Sequence, residues 1–499
     1  MDSPKRVVNN KLSSGATKSG KMWWYFPLMW IGGFLVFIPL LKNRFIGDDF
    51  TALSIYRQFK GQPFLKTILY GGNDFLRPIN LAMVMLRGEC FGPNPLAFVV
   101  ANIVLHLINT SMVFLLARRI FAKRLTAIAA SLLFLLAFSH YEGITWISSS
   151  ISMLVTFFML ASIYFHTKFR EKDNIRWLIP SILTFILAFL TKETAVSLPF
   201  IFLAYDLFMQ KKNNRSKLHF IPYLAYAALL AVYLIVQTRW AMNFAGAGSS
   251  YRAGWHMLSN IFDYWVWLWM PNPRHPYVAQ VLQILPRPLL ILYWIAAAAA
   301  ALSLPLMALF AFMKKLSKPL LWSFLATLLS LAVFMPFAIK ISARYAYLPS
   351  VFFSMLAGGL FVRLWGFLQK KRRKGWQWAV AVAATLYLIA NLTALLMVER
   401  EFVKVSMKTE KLALEAGELV ELKDNDVLFI ENPGSHIHLR EAIHWFYNSN
   451  VHVHASNDVY ANSPKTLDEI KERFKNTDAT LYYMGVIDDS LILVSKEKL

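Results

Sequence analysis

The chain is poor in cysteine, in acidic residues and in charge altogether. Cys90 is the single cysteine among 499 residues, so no intrachain disulfide can form. Asp and Glu total 29 against 52 Lys and Arg, and only 16% of residues are charged, where a soluble domain carries roughly a quarter. There is no internal repeat, which excludes a solenoid, and no low-complexity tract beyond an Ala-rich run at 296–301. The net charge of +23 raises a nucleic-acid partner. The basic residues, however, are dispersed among short loops and are not gathered on one folded domain, which excludes a basic groove.

What remains is apolar. Hydrophobic residues make up 57% of the chain, in runs of roughly 17–25 residues, the length that crosses a hydrocarbon core as a helix. The alternating pattern of a membrane barrel is missing. Eleven spans are expected near 23–41, 95–117, 124–139, 145–166, 175–191, 194–210, 218–239, 287–313, 319–338, 347–368 and 376–398. Residues 1–22 are a basic leader with no cleavage signal after the first apolar run, so that run is read as a retained span. With the leader in the cytoplasm, the loops that fall on the same side are Arg118–Arg124, Lys168–Arg176, Lys211–Lys217, Lys314–Lys318 and Lys370–Lys374. All are strongly basic, in agreement with the positive-inside rule. The same parity decides residues 253–270: a crossing there would put every later basic loop outside. The segment is therefore expected to be re-entrant or interfacial, with Trp255, Tyr264, Trp265, Trp267 and Trp269 in the headgroup region.

The expected fold is an all-α polytopic membrane domain over 23–398 with a small α/β domain at 399–499 on the outer side. The long outer loop, 42–94, should hold two amphipathic helices. One covers 50–60, where Phe50, Leu53, Tyr56 and Phe59 recur every three residues, and the other covers 78–90 after Arg77-Pro78. In the C-terminal region strands are expected at 426–431, 451–455, 479–484 and 490–495, and helices near 439–447 and 465–475. The Asn-x-Ser/Thr sequons at Asn109, Asn214 and Asn391 all fall in spans or a cytoplasmic loop. Their absence from outward segments points to a bacterial inner membrane over an endoplasmic reticulum.

Polar groups at the outer ends of the spans carry the chemistry, because ionisable residues near hydrocarbon are costly. Asp48-Asp49 follow the first span. One can cap the next helix while the other serves as general base toward a hydroxyl. Asn102, His106 and Asn109 form a polar stripe facing the bundle interior, which also suits plain helix–helix hydrogen bonding. His140 and Glu142 emerge between the third and fourth spans, Lys192-Glu193 between the fifth and sixth, and Arg344-Tyr345 before the tenth. All are on the side of Asp48, where Arg and Lys can bind a phosphate. Lys192-Glu193 also reads as a structural ion pair, although sequence neighbours on a helix do not face each other. His436, His438, His444, His452 and His454 have strand-like HxH spacings but lack the cysteine or acidic partners of a zinc site. Asp48 and Asp49 together could hold Mg²⁺ or Mn²⁺.

The ordered stretches GDDF (47–50), RPINLAMVMLRGECF (77–91) running on to RRIF (118–121), HYEGITWISSSISML (140–154), LTKETAVSLPFIFLAYDL (190–207) and RYAYLPSVFFSML (344–356) resemble the GT-C superfamily of membrane glycosyltransferases. The likeness is to its bacterial protein O-mannosyltransferase-like and TMTC-like members. It implies a polyprenyl-phosphate sugar as donor, inversion at the anomeric carbon, and a catalytic aspartate in the first outer loop, here Asp48 or Asp49. Arg77, His140, Lys192, Arg344 and Tyr345 would bind the donor phosphate, and His106, Glu142 and Glu193 would position substrate. The chain has neither tetratricopeptide repeats nor a β-trefoil insert, so a glycan, a lipid or a protein can each be the acceptor. The competing reading is a transporter or flippase for a lipid-linked saccharide. Transporters place their polar residues near the bilayer midplane on paired repeats, whereas here they gather at the outer ends.

The topology is checked by reporter fusions after Lys374 and after Leu499, which should give opposite signals; matching signals would break the eleven-span arrangement.

Overall fold

A computed structural model of the protein describes residues 24–70, 77–210, 221–240, 252–273, 276–338, 342–434, 439–447, 450–457, 463–475 and 477–499. The basic leader, the loop Lys211–Lys217, His436 and His438 lie outside the described residues.

Each expected span contains a helix, but not every one of these helices is long enough to make a full crossing by itself. Among the described residues, five are long and apolar enough to cross a membrane: Pro95–Phe121, Ile147–Lys172, Arg287–Phe312, Ala343–Lys370 and Lys374–Leu419. Arg124–Leu135 with Phe138–Thr145, bent by 52° at the break, makes a sixth if the two count as one. Tyr25–Val36, Ile175–Thr191, Pro222–Val236 and Lys318–Ala332 are apolar but shorter. The difference has a physical origin. Two helices stop before the apolar run does, and the chain continues as 3-10 turns at Ile38–Lys42 and Phe138–His140. Hydropathy averaged over a window does not register such a break. Two helices, Arg287–Phe312 and Lys374–Leu419, bury only 17% and 11% of their most apolar windows within the protein, which leaves those faces for lipid.

The segment 253–270 is the helix His256–Trp269. Its 14 residues rise about 21 Å, short of the roughly 30 Å hydrocarbon core. The expected aromatic belt is only partly there. Trp255 is exposed, but Tyr264, Trp265 and Trp267 are buried in the bundle. Both Trp265 and Trp269 donate their indole N–H to Ser303 Oγ, at 2.8 and 3.0 Å. A buried indole seeks an acceptor, and Ser303 supplies one inside the protein rather than in the headgroups.

The segment 42–94 holds the two expected helices, Asp48–Phe59 and Pro78–Phe91. The apolar face of the first is turned into the protein and not onto the membrane: Phe50, Leu53 and Tyr56 are buried. Tyr56 lies so close to Gly88 that a Cβ there would sit 2.4 Å from its ring, so the two helices cross where only glycine fits.

The helix Lys374–Leu419 is continuous for 46 residues, about 69 Å, and runs unbroken through the expected boundary at 398. Its C-terminal half grips the turn that leads to Asp48. Ser406 Oγ accepts the Arg44 N–H at 3.1 Å and lies 2.8 Å from Asn43 Oδ1, and Arg44 pairs with Glu410 at 2.8 Å. Asn43 Nδ2 in turn donates to the Thr145 carbonyl at 2.6 Å.

Beyond it, the sheet has order β2-β1-β3-β4. β1 (Val427–Glu431) is parallel to β2 (His452–Ala455) and β3 (Thr480–Ile487), with Val427 opposite both His452 and Leu481. β4 (Ser490–Lys498) is antiparallel to β3. Parallel neighbours need crossovers, and the helices Leu439–Tyr447 and Leu467–Phe474 provide them. The first of these helices docks on the helix bearing the aspartates. The Arg57 guanidinium lies 3.7 Å above the Trp445 ring and donates to the Trp445 carbonyl at 3.1 Å, while Phe50 and Phe446 meet edge to face at 5.9 Å.

This docking predicts that Trp445→Ala leaves the sheet folded but loosens the helix Asp48–Phe59. A cation–π contact of about 1 kcal/mol translates to roughly fivefold faster amide exchange across 48–59, with exchange at 427–431 unchanged. Hydrogen–deuterium exchange checks it.

Candidate active site

The helices Asp48–Phe59 and Pro78–Phe91 and the 3-10 turns at Ile147–Ser149, Glu193–Ser197 and Ala343–Ala346 border a cavity of about 310 Å³. It brings together Asp48, Asp49, Arg77, Lys192, Glu193, Arg344 and Tyr345, residues drawn from four separate stretches of the chain.

Gly47, at φ +54° and ψ −120°, turns the chain sharply into the first of these helices, in a backbone conformation that favours glycine. The two aspartates then part. Asp49 is buried: its Oδ2 accepts the Ile46 N–H at 3.1 Å, and its Oδ1 accepts both the N–H and the hydroxyl of Ser148, at 2.7 and 2.6 Å. Burial pushes its carboxyl up to about 7 against the pull of those hydrogen bonds. Asp48 is exposed, and among the described residues its carboxylate has no hydrogen-bond or ion-pair partner. One aspartate therefore anchors and the other is free.

Opposite lies the cationic wall. The backbone at Lys192 is extended between the helix Leu178–Thr191 and the turn Glu193–Ser197, so neighbouring side chains diverge. Glu193 takes a forked contact from Arg77, with Nε at 3.0 Å and Nη2 at 2.8 Å. Lys192 donates to Ser152 Oγ at 2.9 Å and sits 5.2 Å over the Tyr345 ring. Burial would raise the Glu193 carboxyl, but Arg77 and Lys192 together hold it below its usual range. Burial lowers the Lys192 amine to about 7, outweighing the attraction of Glu193. Arg344 stacks on Trp146 at 4.6 Å, and Tyr345 is itself stacked on Phe334 at 4.6 Å.

Glu142 does not line the cavity. It accepts the Ser342 hydroxyl at 2.5 Å and the Arg344 N–H at 2.8 Å, and so holds the turn that presents Arg344. His106 and His140 are not at the cavity either; both are fully buried within the bundle. His106 Nδ1 is 2.8 Å from the Tyr347 hydroxyl, and His140 Nε2 is 2.6 Å from Ser350 Oγ. The polar stripe is a helix–helix seam: Asn102 donates to the Ile144 carbonyl and Asn109 to that of Met153. The spacing shows which face points inward but not how deep that face lies. Arg87, Ser148 and Ser150 also line the cavity and were not singled out from the sequence. The signal available for Arg87 was a cation on an otherwise apolar helix face.

Among the described residues no group of three or more His, Cys, Asp or Glu converges. The oxygens of Asp49 already accept three donors, whereas the Asp48 carboxylate accepts none among the described residues. In the C-terminal domain His444 donates to the Val451 carbonyl at 2.7 Å and His454 lies 3.0 Å from Ser463 Oγ.

Residues 78–240 match the family of dolichyl-phosphate-mannose-protein mannosyltransferases. The protein O-mannosyl-transferase Tmtc1 of Drosophila melanogaster is 25% identical over 181 residues, covering 33% of this chain and 20% of its own length. TMTC3 of Mus musculus is 26% identical over 181 residues, covering 33% and 19%. The match thus spans about a fifth of those relatives. ArnT from Cupriavidus metallidurans bound to undecaprenyl phosphate superposes with a TM-score of 0.51 at 14% identity, covering 92% of this chain and 93% of that one; its apo structure gives 0.52 at 13%, covering 93% of each chain. The chain has a GT-C-like fold.

Raising the pH through about 7 removes a positive charge at Lys192 and adds a negative one at Asp49. Both protonated forms favour an anion, so binding of a phosphodiester, whose own charge is constant in this range, should be strong below about 7 and fall about tenfold or more by about pH 8. Lys192→Met should flatten the profile. Affinity measured across pH, with and without the substitution, checks the sign.

Proposed function

We propose that this protein is a glycosyltransferase that moves a sugar from a polyprenyl-phosphate donor to an acceptor hydroxyl at the outer face of the membrane, with inversion. The observation that carries this reading is the unpartnered Asp48 carboxylate sharing one cavity with Arg77, Lys192 and Arg344. An acceptor hydroxyl is a weak nucleophile until its proton has somewhere to go, and Asp48 takes that proton. The acceptor oxygen bonds to the anomeric carbon as the bond from that carbon to the phosphate oxygen breaks, and the electron pair leaves with the polyprenyl phosphate. A single displacement inverts the anomeric centre. Arg344 and Lys192 stabilise the charge that grows on the phosphate, while Arg77, held by Glu193, keeps that wall in place. Asp49 fixes the loop, and Tyr345 packs beneath the cations.

The apolar helices support an integral membrane protein, the basic loops support a cytoplasmic N-terminus with the C-terminal domain on the opposite side, and the lack of sequons in outward segments supports a bacterial inner membrane. In that orientation the cavity opens beside the outer leaflet, where a polyprenyl chain can lie between helices while its phosphate reaches the cations. The acceptor is a glycan, lipid or protein hydroxyl.

Asp48→Asn keeps the shape of the side chain but cannot accept the proton. Transfer should fall by about 10²–10⁴-fold with polyprenyl-phosphate binding intact. The measurement is mass spectrometry of envelope glycans from cells with the wild-type gene, the variant gene or no gene. Normal glycans in the Asp48→Asn strain would remove the base and restore the transporter reading.

A further inference from the structure

Four cations border the cavity, and three have a clear place in the donor wall: Arg77 is paired with Glu193, Lys192 adjoins that pair, and Arg344 is stacked on Trp146. Arg87 stands apart. It projects from the helix Pro78–Phe91, is 9% exposed, and has the Phe98 ring 5.8 Å from its guanidinium carbon. Its Nη1 donates to Ser150 Oγ at 3.1 Å; among the described residues no carboxylate lies within ion-pair distance of it. Asp49, which influences its charge, has both oxygens turned to Ile46 and Ser148 instead.

A guanidinium has five N–H donors, and a nearly buried one is costly to leave with a single neutral partner. Two further features lie at the same end of the cavity. The 23-residue helix Ser150–Lys172 begins there, with the positive end of its dipole toward Arg87. Ser149, at its N-cap position, is 1% exposed and its Oγ has no hydrogen-bond partner among the described residues. A cation short of partners, a buried hydroxyl without one and a helix N-terminus all favour an oxyanion at one place.

We propose that Arg87, Ser149 and Ser150 form a second oxyanion site in the cavity, which recognises a carboxylate or phosphate carried by the acceptor beside the hydroxyl that receives the sugar. This rests on the glycosyltransferase reading and narrows its acceptor to a negatively charged hydroxyl compound. The charge fixes the acceptor at the end of the cavity near Asp49, so that its hydroxyl reaches Asp48, while the donor phosphate occupies the Arg344–Lys192 wall.

The test uses the full chain in lipid nanodiscs, first saturated with polyprenyl phosphate, then titrated with glycerol 3-phosphate, glycerate or neutral glycerol. Wild type should bind at least one of the two anions at least tenfold more tightly than glycerol. Arg87→Gln should weaken that binding at least tenfold and Arg87→Lys less, with polyprenyl-phosphate affinity unchanged within twofold in both, which also shows that the variants are folded. Failure of both anions to bind the lipid-loaded protein, or unchanged anion binding in Arg87→Gln, overturns the second site. Loss of polyprenyl-phosphate affinity in Arg87→Gln overturns it too, by moving Arg87 into the donor wall. Failure of wild type to bind polyprenyl phosphate at all would instead overturn the glycosyltransferase reading.

Discussion

Three hydrogen bonds hold the carboxylate of Asp49, and two of them join the segment 42–94 to the turn before the helix that begins at Ser150. One oxygen satisfies the Ile46 N–H; the other takes two donors from Ser148, 99 residues further along the chain. A buried carboxylate is tolerated only when its lone pairs are satisfied, and these donors do so. Because Asp49 is committed to this anchor, Asp48 is presented to the cavity with its carboxylate free, and the Ser148–Ser150 turn is held against the same space.

The wall is maintained by a balance of charges at short range. Arg77 and Glu193 neutralise each other through a forked contact, and that leaves Lys192 and Arg344 as the cations nearest to being available. Both rest on aromatic rings, which stabilise a cation without consuming its hydrogen-bond donors. Glu142 works at one remove, through the backbone of Arg344. The irregular turns that carry these groups are possible near hydrocarbon because protein side chains satisfy their polar backbone.

The C-terminal domain is part of this construction. The helix Lys374–Leu419 spans its boundary and clasps Asn43 and Arg44 just before the aspartates, while Trp445 and Phe446 rest on the far face of the aspartate helix. That helix is thus held from both sides, and its apolar stripe is covered by protein, although periodicity alone suited a membrane surface equally well.

Apolar runs, basic loops and the strand pattern after residue 420 are local properties, so the sequence by itself determined where the helices and strands fall and that the carboxylate pair and the cations sit at helix ends. Tertiary structure decided the rest. Asp48 and Asp49 are adjacent and chemically identical; two donors from Ser148, in another part of the chain, join the local Ile46 N–H in making one an anchor, and the other is left free. His106 and His140 carry the same polar signal as Lys192, yet Tyr347 and Ser350 hold them deep in the bundle. Arg87 sits on an apolar helix that gives no hint of a cavity beneath it. In each case the role depends on burial and on partners remote in sequence, which composition and spacing do not encode.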